Sequence, residues 1–183
     1  MDAPAPASAS GAIEVRISDI SQLFNTLDPF PFPERDLDKD AEEFIVGWAR
    51  ELPRGLALCI VIHLPAGEAA KQHANQLREG MNRYFAYRAS VIDRDIKELF
   101  RVGRFSLAIG LGVLALGLIA ARLISGGMNP TPVQRFLEEG LIIASWVANW
   151  KPIEIFLYDW WPLVRRRNLY RRLAQAQVEL KPY

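Results

Sequence analysis

The chain has 183 residues, with 22 lysines and arginines against 21 aspartates and glutamates, a formal net charge of +1 and a mean hydropathy of +0.03. That length holds one small soluble domain and a membrane hairpin, and the near-neutral balance excludes the broad basic field of a nucleic-acid binder. A single cysteine, Cys59, excludes an intrachain disulfide framework and a thiolate metal site, and two histidines, His63 and His73, are too few for a metal cluster without carboxylates.

Residues 1–12 (MDAPAPASASGA) are rich in Ala, Pro and Ser and have neither a basic start nor an apolar segment. They read as a flexible tail rather than a secretory signal, which leaves the first domain in the cytoplasm. Ile13 to Ser18 alternate apolar and polar residues and predict a short strand. Ile20, Leu23, Phe24 and Leu27 then have helical spacing, which Asp28 to Pro33 (DPFPFP) ends in an extended loop whose rings pin onto the domain surface.

Asp40 and Glu43 fit a capping box at the start of a helix whose buried face is Phe44, Ile45, Trp48 and Leu52. Pro53-Arg54-Gly55 stops it. The run Leu56 to Leu64 (LALCIVIHL) predicts a strand covered on both faces, ended by Pro65. From Ala66 the period becomes helical: Ala70, Ala74, Leu77, Met81, Phe85, Ile92, Ile96 and Leu99 recur mostly at three or four residues. A helix unbroken from Ala66 to Ser125 would be roughly 90 Å long; a kink at Gly80 or Gly103 is the alternative. Tyr84, Phe85 and Tyr87 leave apolar surface on more than one side of it, which suggests burial against a second copy or another protein.

Phe105 to Ala121 (FSLAIGLGVLALGLIAA) runs for seventeen residues without a charge, close to the minimum that spans a bilayer as a helix. Strong breakers follow at 125–132, and Asn129 or Thr131 can cap a helix beginning near Pro132. Gly140 to Leu163 is the second span, with residues 126–139 as a short external loop. Arg94, Lys97, Arg101 and Arg104 precede the first span, and Arg165, Arg166, Arg167, Arg171 and Arg172 follow the second. Only Arg122 and Arg135 lie between, so both termini are expected in the cytoplasm. Tyr158, Trp160 and Trp161 sit where an interfacial aromatic belt would lie.

The second span contains Lys151, Glu154 and Asp159, and charges inside a bilayer are costly. Helical spacing puts Gly140, Ala144, Val147, Lys151, Glu154 and Tyr158 on one face, and Lys151 can pair with Glu154. The first span offers a matching stripe of small residues, Ser106, Gly110, Gly117 and Ala121, for close approach. Lys151, Glu154, Tyr158 and Asp159 are therefore the candidate polar site. They either handle ions or protons or dock a polar partner, or else fix the register of the hairpin or lie shallow enough to reach the headgroups.

Other motifs carry less. Glu34, Asp36, Asp38 and Asp40 resemble the opening of a calcium loop, but Ala41 stands where glycine is needed and Gly47 where a bidentate glutamate belongs. His63 ends a strand before Gly67 and Glu68, yet no nucleophile elbow or phosphate loop accompanies it, and a satisfied structural histidine is expected. Cys59 reads as a small buried apolar side chain. No catalytic, cofactor or metal motif is found. Pro162 to Ala176 read as a basic helical tail, and Gln177 to Tyr183 (QVELKPY) alternate as a third strand would, which would bring both chain ends into one sheet.

Glu138 to Val164 (EEGLIIASWVANWKPIEIFLYDWWPLV) and the opening IEVRISDISQLFNTLDPFPFPERDLDKDAEEFIVGWARELP resemble a group of small uncharacterised bacterial membrane proteins. The resemblance covers most of the chain, implies a bacterial inner-membrane location and carries no activity or site residue. The expected molecule is mainly helical: a cytoplasmic α/β domain over 13–104, spans at 105–125 and 140–163, and a basic tail over 164–183. Its partners would be the lipid bilayer and either a second copy or another membrane protein. The expected role is anchor, scaffold or accessory subunit; the alternatives are a small ion or proton transporter using Lys151 and Glu154, and a membrane-tethered enzyme using His63.

Overall fold

The computed structural model describes residues 11–29, 35–53, 55–69, 73–124 and 131–183. Phe30, Phe32 and Pro33 of the proline-rich loop, and the side chains of Glu68, Ala70, His73 and Ala74, lie outside the described residues. The chain divides into two compact units, residues 1–92 with 165–183, and residues 93–164.

The first unit is built on three parallel strands, β1 (Ala12–Arg16), β2 (Cys59–Leu64) and β3 (Gln177–Pro182), in the order β1-β2-β3. Ile13 pairs with Ile60 and Ile60 with Val178, so alternate residues of all three strands share a face. One face carries Ile13, Ile60, Ile62, Leu64 and Val178, all buried. They meet a helical layer of Ile45, Leu77, Met81, Phe85, Tyr170 and Leu173, whose side chains are also fully or almost fully buried. The other face carries Glu14, Arg16, Glu179 and Lys181 outward. Val61 lies between Glu14 and Glu179 in register and is nonetheless buried, which is why the central strand reads as apolar nearly throughout. The strand predicted at the end of the chain is therefore the third member of the sheet.

A 3-10 turn (Ile20–Leu23) follows β1 and buries Ile20, Leu23 and Phe24, while Leu27, expected beside them, is exposed. Helix α1 (Lys39–Glu51) is capped by Asp38, whose carboxylate accepts from the Asp40 N–H. The N-cap therefore lies two residues before the expected Asp40, because Asp38 is the last residue with extended backbone, and with Ala41 at N3 the expected capping box of Asp40 and Glu43 does not form. Its buried face is Ile45, Val46 and Ala49. Phe44 and Trp48, expected in the core, are 46 % and 38 % exposed and stack loosely on each other at 6.2 Å.

A short α2 (Ala66–Ala69) follows β2, and α3 (His73–Ile124) then runs for 52 residues without a break at Gly80 or Gly103. Within the first unit its guanidinium-bearing Arg78 donates from Nε to the Val178 carbonyl at 3.0 Å, tying α3 to β3. Arg172, on α6 (Trp160–Ala174), donates to the carbonyls of Pro53 and Leu56 at 3.0 and 3.1 Å and clamps the α1–β2 connection.

The second unit comprises residues 93–124 of α3, α4 (Pro132–Val147), α5 (Trp150–Glu154), a π-helical turn (Ile155–Asp159) and the start of α6. Thr131 caps α4 in a full capping box with Gln134, so the stretch expected as external loop is helical from Pro132. The second apolar stretch is not one straight helix. It turns at Ala148 and Asn149 and carries an extra residue per turn at 155–159.

Candidate functional site

In the second unit, α3 and the returning helices run antiparallel and meet at glycines seven residues apart. A Cβ placed on Gly103 would lie 2.9 Å from Ile155 Cγ2, one on Gly110 would lie 2.6 Å from Asn149 Oδ1, and one on Gly117 would overlap Ser145 Oγ. Absence of a side chain at these three positions is what lets the helices approach. Gly110, Gly117 and Ala121 of the predicted stripe are buried, Ser106 is half-buried, and Gly103 takes a place the prediction had assigned only to a kink.

The opposing face is Ser145, Asn149, Pro152 and Ile155, all buried. Asn149 sits at the turn between α4 and α5 and donates from Nδ2 to the carbonyls of Gly110, at 3.1 Å, and Ser145, at 3.0 Å. Ser145 in turn donates to the Leu141 carbonyl at 2.7 Å. The polar groups inside the helix pair are therefore satisfied by backbone, which suits an interface where water is scarce. The face expected to pack, Gly140, Ala144, Val147, Lys151, Glu154 and Tyr158, is turned outward instead: Val147 and Tyr158 are exposed. The reason is Asn149, whose Nδ2 reaches across the pair to the Gly110 carbonyl and turns its own face of the helix inward.

Lys151 pairs with Glu154 as expected, Nζ to Oε2 3.1 Å, and also with Asp159 Oδ2 at 3.3 Å. The spacing of eight residues brings Asp159 to Lys151 because the π-helical turn rotates the chain less per residue than an α-helix and so returns Asp159 to the face of Lys151. Tyr158, the fourth predicted member, is exposed and outside the ion group. The contacts of Gly103 and Gly110 also give the level of these charges: Lys151 falls opposite the first residues of the apolar run of α3, and Asp159 opposite residues before it. Phe100 stacks with Phe156 and Trp160 at 6.0 and 6.3 Å at that same end.

In the first unit a second polar group joins three helices. Glu42 of α1 accepts hydrogen bonds from the hydroxyls of Tyr84, at 2.7 Å, and Tyr170, and from Arg88 Nε at 3.2 Å. Its side chain is 12 % exposed. Burial by itself would raise the Glu42 pKa, but the two tyrosine hydroxyls and Arg88 more than offset it and hold the carboxyl below the ordinary carboxylate value. Burial and the anion beside them push both tyrosines up, so the group consists of an ionised acid, two neutral phenols and a guanidinium. Sequence reading missed it because Glu42, Tyr84 and Tyr170 lie far apart in the chain. The one available signal was an acidic residue on the buried flank of α1, between Ala41 and Ile45.

His63, half-buried at the end of β2, has its Nε2 3.8 Å from Glu14 Oε2 and without a hydrogen-bond partner among the described residues. The expected satisfied histidine is thus not found at Nε2. Cys59 is partly covered, and burial with the carboxylate of Glu179 pushes its thiol up. No group of three or more potential metal ligands occurs among the described residues. Of the basic residues after the second apolar stretch, Arg166 lies over the Tyr170 ring at 5.7 Å and Arg172 is engaged with carbonyls, so these two help to hold the fold as well as supply charge.

No family model, no curated protein and no solved structure matches this chain.

Proposed function

We propose that the protein is a two-span protein of a bacterial inner membrane that acts as a scaffold or accessory subunit of a membrane assembly. One observation carries the reading. Helix α3 contains a stretch long and apolar enough to cross a bilayer, only 17 % of that window is buried, and Phe105, Leu116 and Leu123 are each about 70–80 % exposed. Water does not tolerate a continuous apolar surface of that kind on a folded chain. Phe136, Ile143, Trp146, Val147 and Trp150 extend it along the returning helices. The lysines and arginines on the outer flanks support cytoplasmic termini, with Thr131 on the far side.

Lys151, Glu154 and Asp159 fit the interfacial role better than transport. They sit at the end of the apolar run rather than at its middle, where headgroups and water compensate them, and they neutralise one another in part.

Alkaline carbonate extraction of cells expressing the native chain tests the reading, with release into the soluble fraction as the result that overturns it. In a Cys59→Ser background, a membrane-impermeant maleimide added to intact cells should label Thr131→Cys and leave Ser18→Cys unlabelled.

A further inference from the structure

Strand β1 is an edge of the sheet, and its outer side pairs with no other strand among the described residues. The other edge, β3, ends in Lys181 and Pro182, residues that blunt an edge against further pairing. Strand β1 has no proline, no bulge and no lysine. The Ile17 N–H donates to the His63 carbonyl and the Cys59 N–H to the Gly11 carbonyl, so the odd-numbered residues of β1 bond inward to β2. Ala12, Glu14 and Arg16 therefore present their N–H and C=O groups outward.

The helical layer above this edge is also unfinished. On α1, Ile45 and Ala49 face the sheet, and Glu42 faces Tyr84 and Tyr170 on one flank. Helical spacing puts Ala41, Phe44, Trp48 and Leu52 on the opposite flank. Leu52 approaches Gly11 at the start of β1, so this flank overhangs the β1 side of the sheet. The two large aromatics of that flank are exposed.

We propose that a second copy of this chain docks here, its β1 pairing antiparallel with β1 across a two-fold axis at Val15. Charge selects that register. Only outward-bonding residues can form the hydrogen-bonded pairs, which leaves a few symmetric alignments. Centring on Glu14 opposes Glu14 to Glu14, and centring on Arg16 opposes Arg16 to Arg16. Centring on Val15 opposes Glu14 to Arg16 twice. The two sheets then form one of six strands, with Phe44 and Trp48 of each copy closing the helical layer over the seam. The inference deepens the scaffold reading and rests on it, but the surface lies wholly within the first unit.

The test uses the full-length chain in native membranes with Cys59→Ser. Val15→Cys should oxidise to a disulfide-linked dimer, while Ala12→Cys and Ser18→Cys stay monomeric. In the Val15→Cys chain, Glu14→Arg should lower the cross-linked fraction about tenfold, and Glu14→Arg with Arg16→Glu should restore it. Both side chains are exposed, but Glu14 lies 3.8 Å from His63 and Arg16 lies over the Tyr183 ring at 4.2 Å, so circular dichroism of each variant accompanies the cross-linking to show that the fold is kept. Monomers at Val15→Cys, or cross-linking indifferent to Glu14→Arg, overturn the dimer. Release by carbonate with cross-linking preserved overturns only membrane insertion.

Discussion

The Tyr170 hydroxyl donates to Glu42 across 128 positions of chain, and through that bond the last helix holds the first. Tyr84 and Arg88 of α3 reach the same carboxylate, so one acidic residue joins three helices over a sheet of three strands among the described residues. A core that small gains much from such a junction, because its loss leaves a guanidinium and two phenols partly buried without their acceptor.

Glu42→Gln should therefore cost about 1–2 kcal/mol of stability, discounted for the one-third exposure of Arg88. The pH dependence has a definite sign. The carboxyl is held below its ordinary value of 4.5 in the folded chain, so its contribution is complete above that pH and is lost as pH falls through the lower folded value. Acid unfolding of the wild type, followed by circular dichroism in detergent, should be steeper below pH 4.5 than that of Glu42→Gln. Identical curves would remove the linkage.

The three glycines spaced seven residues apart make a graded prediction. Gly117→Ala forces a methyl into Ser145 Oγ, and Gly110→Ala meets Asn149 and the Ala148 carbonyl. Each should destabilise the helix pair by about 1–3 kcal/mol, the range for overpacking. Gly112→Ala meets nothing within 4 Å and should be neutral or slightly stabilising. Thermal denaturation of the three variants in the same detergent gives the order, and a Gly112 variant as damaged as Gly117→Ala would contradict the packing.

Asn149→Leu should be worse tolerated than its apolar character suggests. It removes the cross-helix hydrogen bond to the Gly110 carbonyl that sets the rotation of the returning helix, together with the local bond to the Ser145 carbonyl, and puts a branched side chain against Gly110. Lys151→Met with Glu154→Gln and Asp159→Asn, by contrast, should leave detergent melting and carbonate resistance unchanged. Reconstituted vesicles should show no difference in proton flux between this triple variant and wild type. A flux present only in wild type would restore the transport alternative.

Cys59 offers a reporter for the first unit. Partial burial and the neighbouring Glu179 push its thiol up, so at neutral pH less of it is thiolate than in an open peptide. Maleimide labelling of the folded chain should be at least about tenfold slower than after unfolding in denaturant. Equal rates would mean that the strand opens freely.

Much of this architecture is legible from local pattern. Alternation marks Ile13 to Val15 and Val178 to Leu180, an apolar run with β-branched residues marks β2, and helical spacing with an uncharged window marks α3. These follow from side-chain periodicity and hydrophobicity, which belong to a segment alone. Segment periodicity is silent on which flank of a helix will be covered. Phe44 and Trp48 look like core residues by composition, and remain outside because α1 lies toward an edge of the sheet with no strand beyond among the described residues.

The sequence by itself thus determined the elements, the apolar window and the small residues that permit close helix contact. Tertiary structure alone decided their partners. Glu42 meets Tyr170 only when both chain ends enter one sheet, and Asp159 meets Lys151 only through a π-helical turn. The outward face of the returning helix is set by the hydrogen bond of Asn149 to the Gly110 carbonyl, which no spacing rule contains. Periodicity is a property of neighbours along the chain, whereas these contacts depend on where distant backbone atoms come to lie.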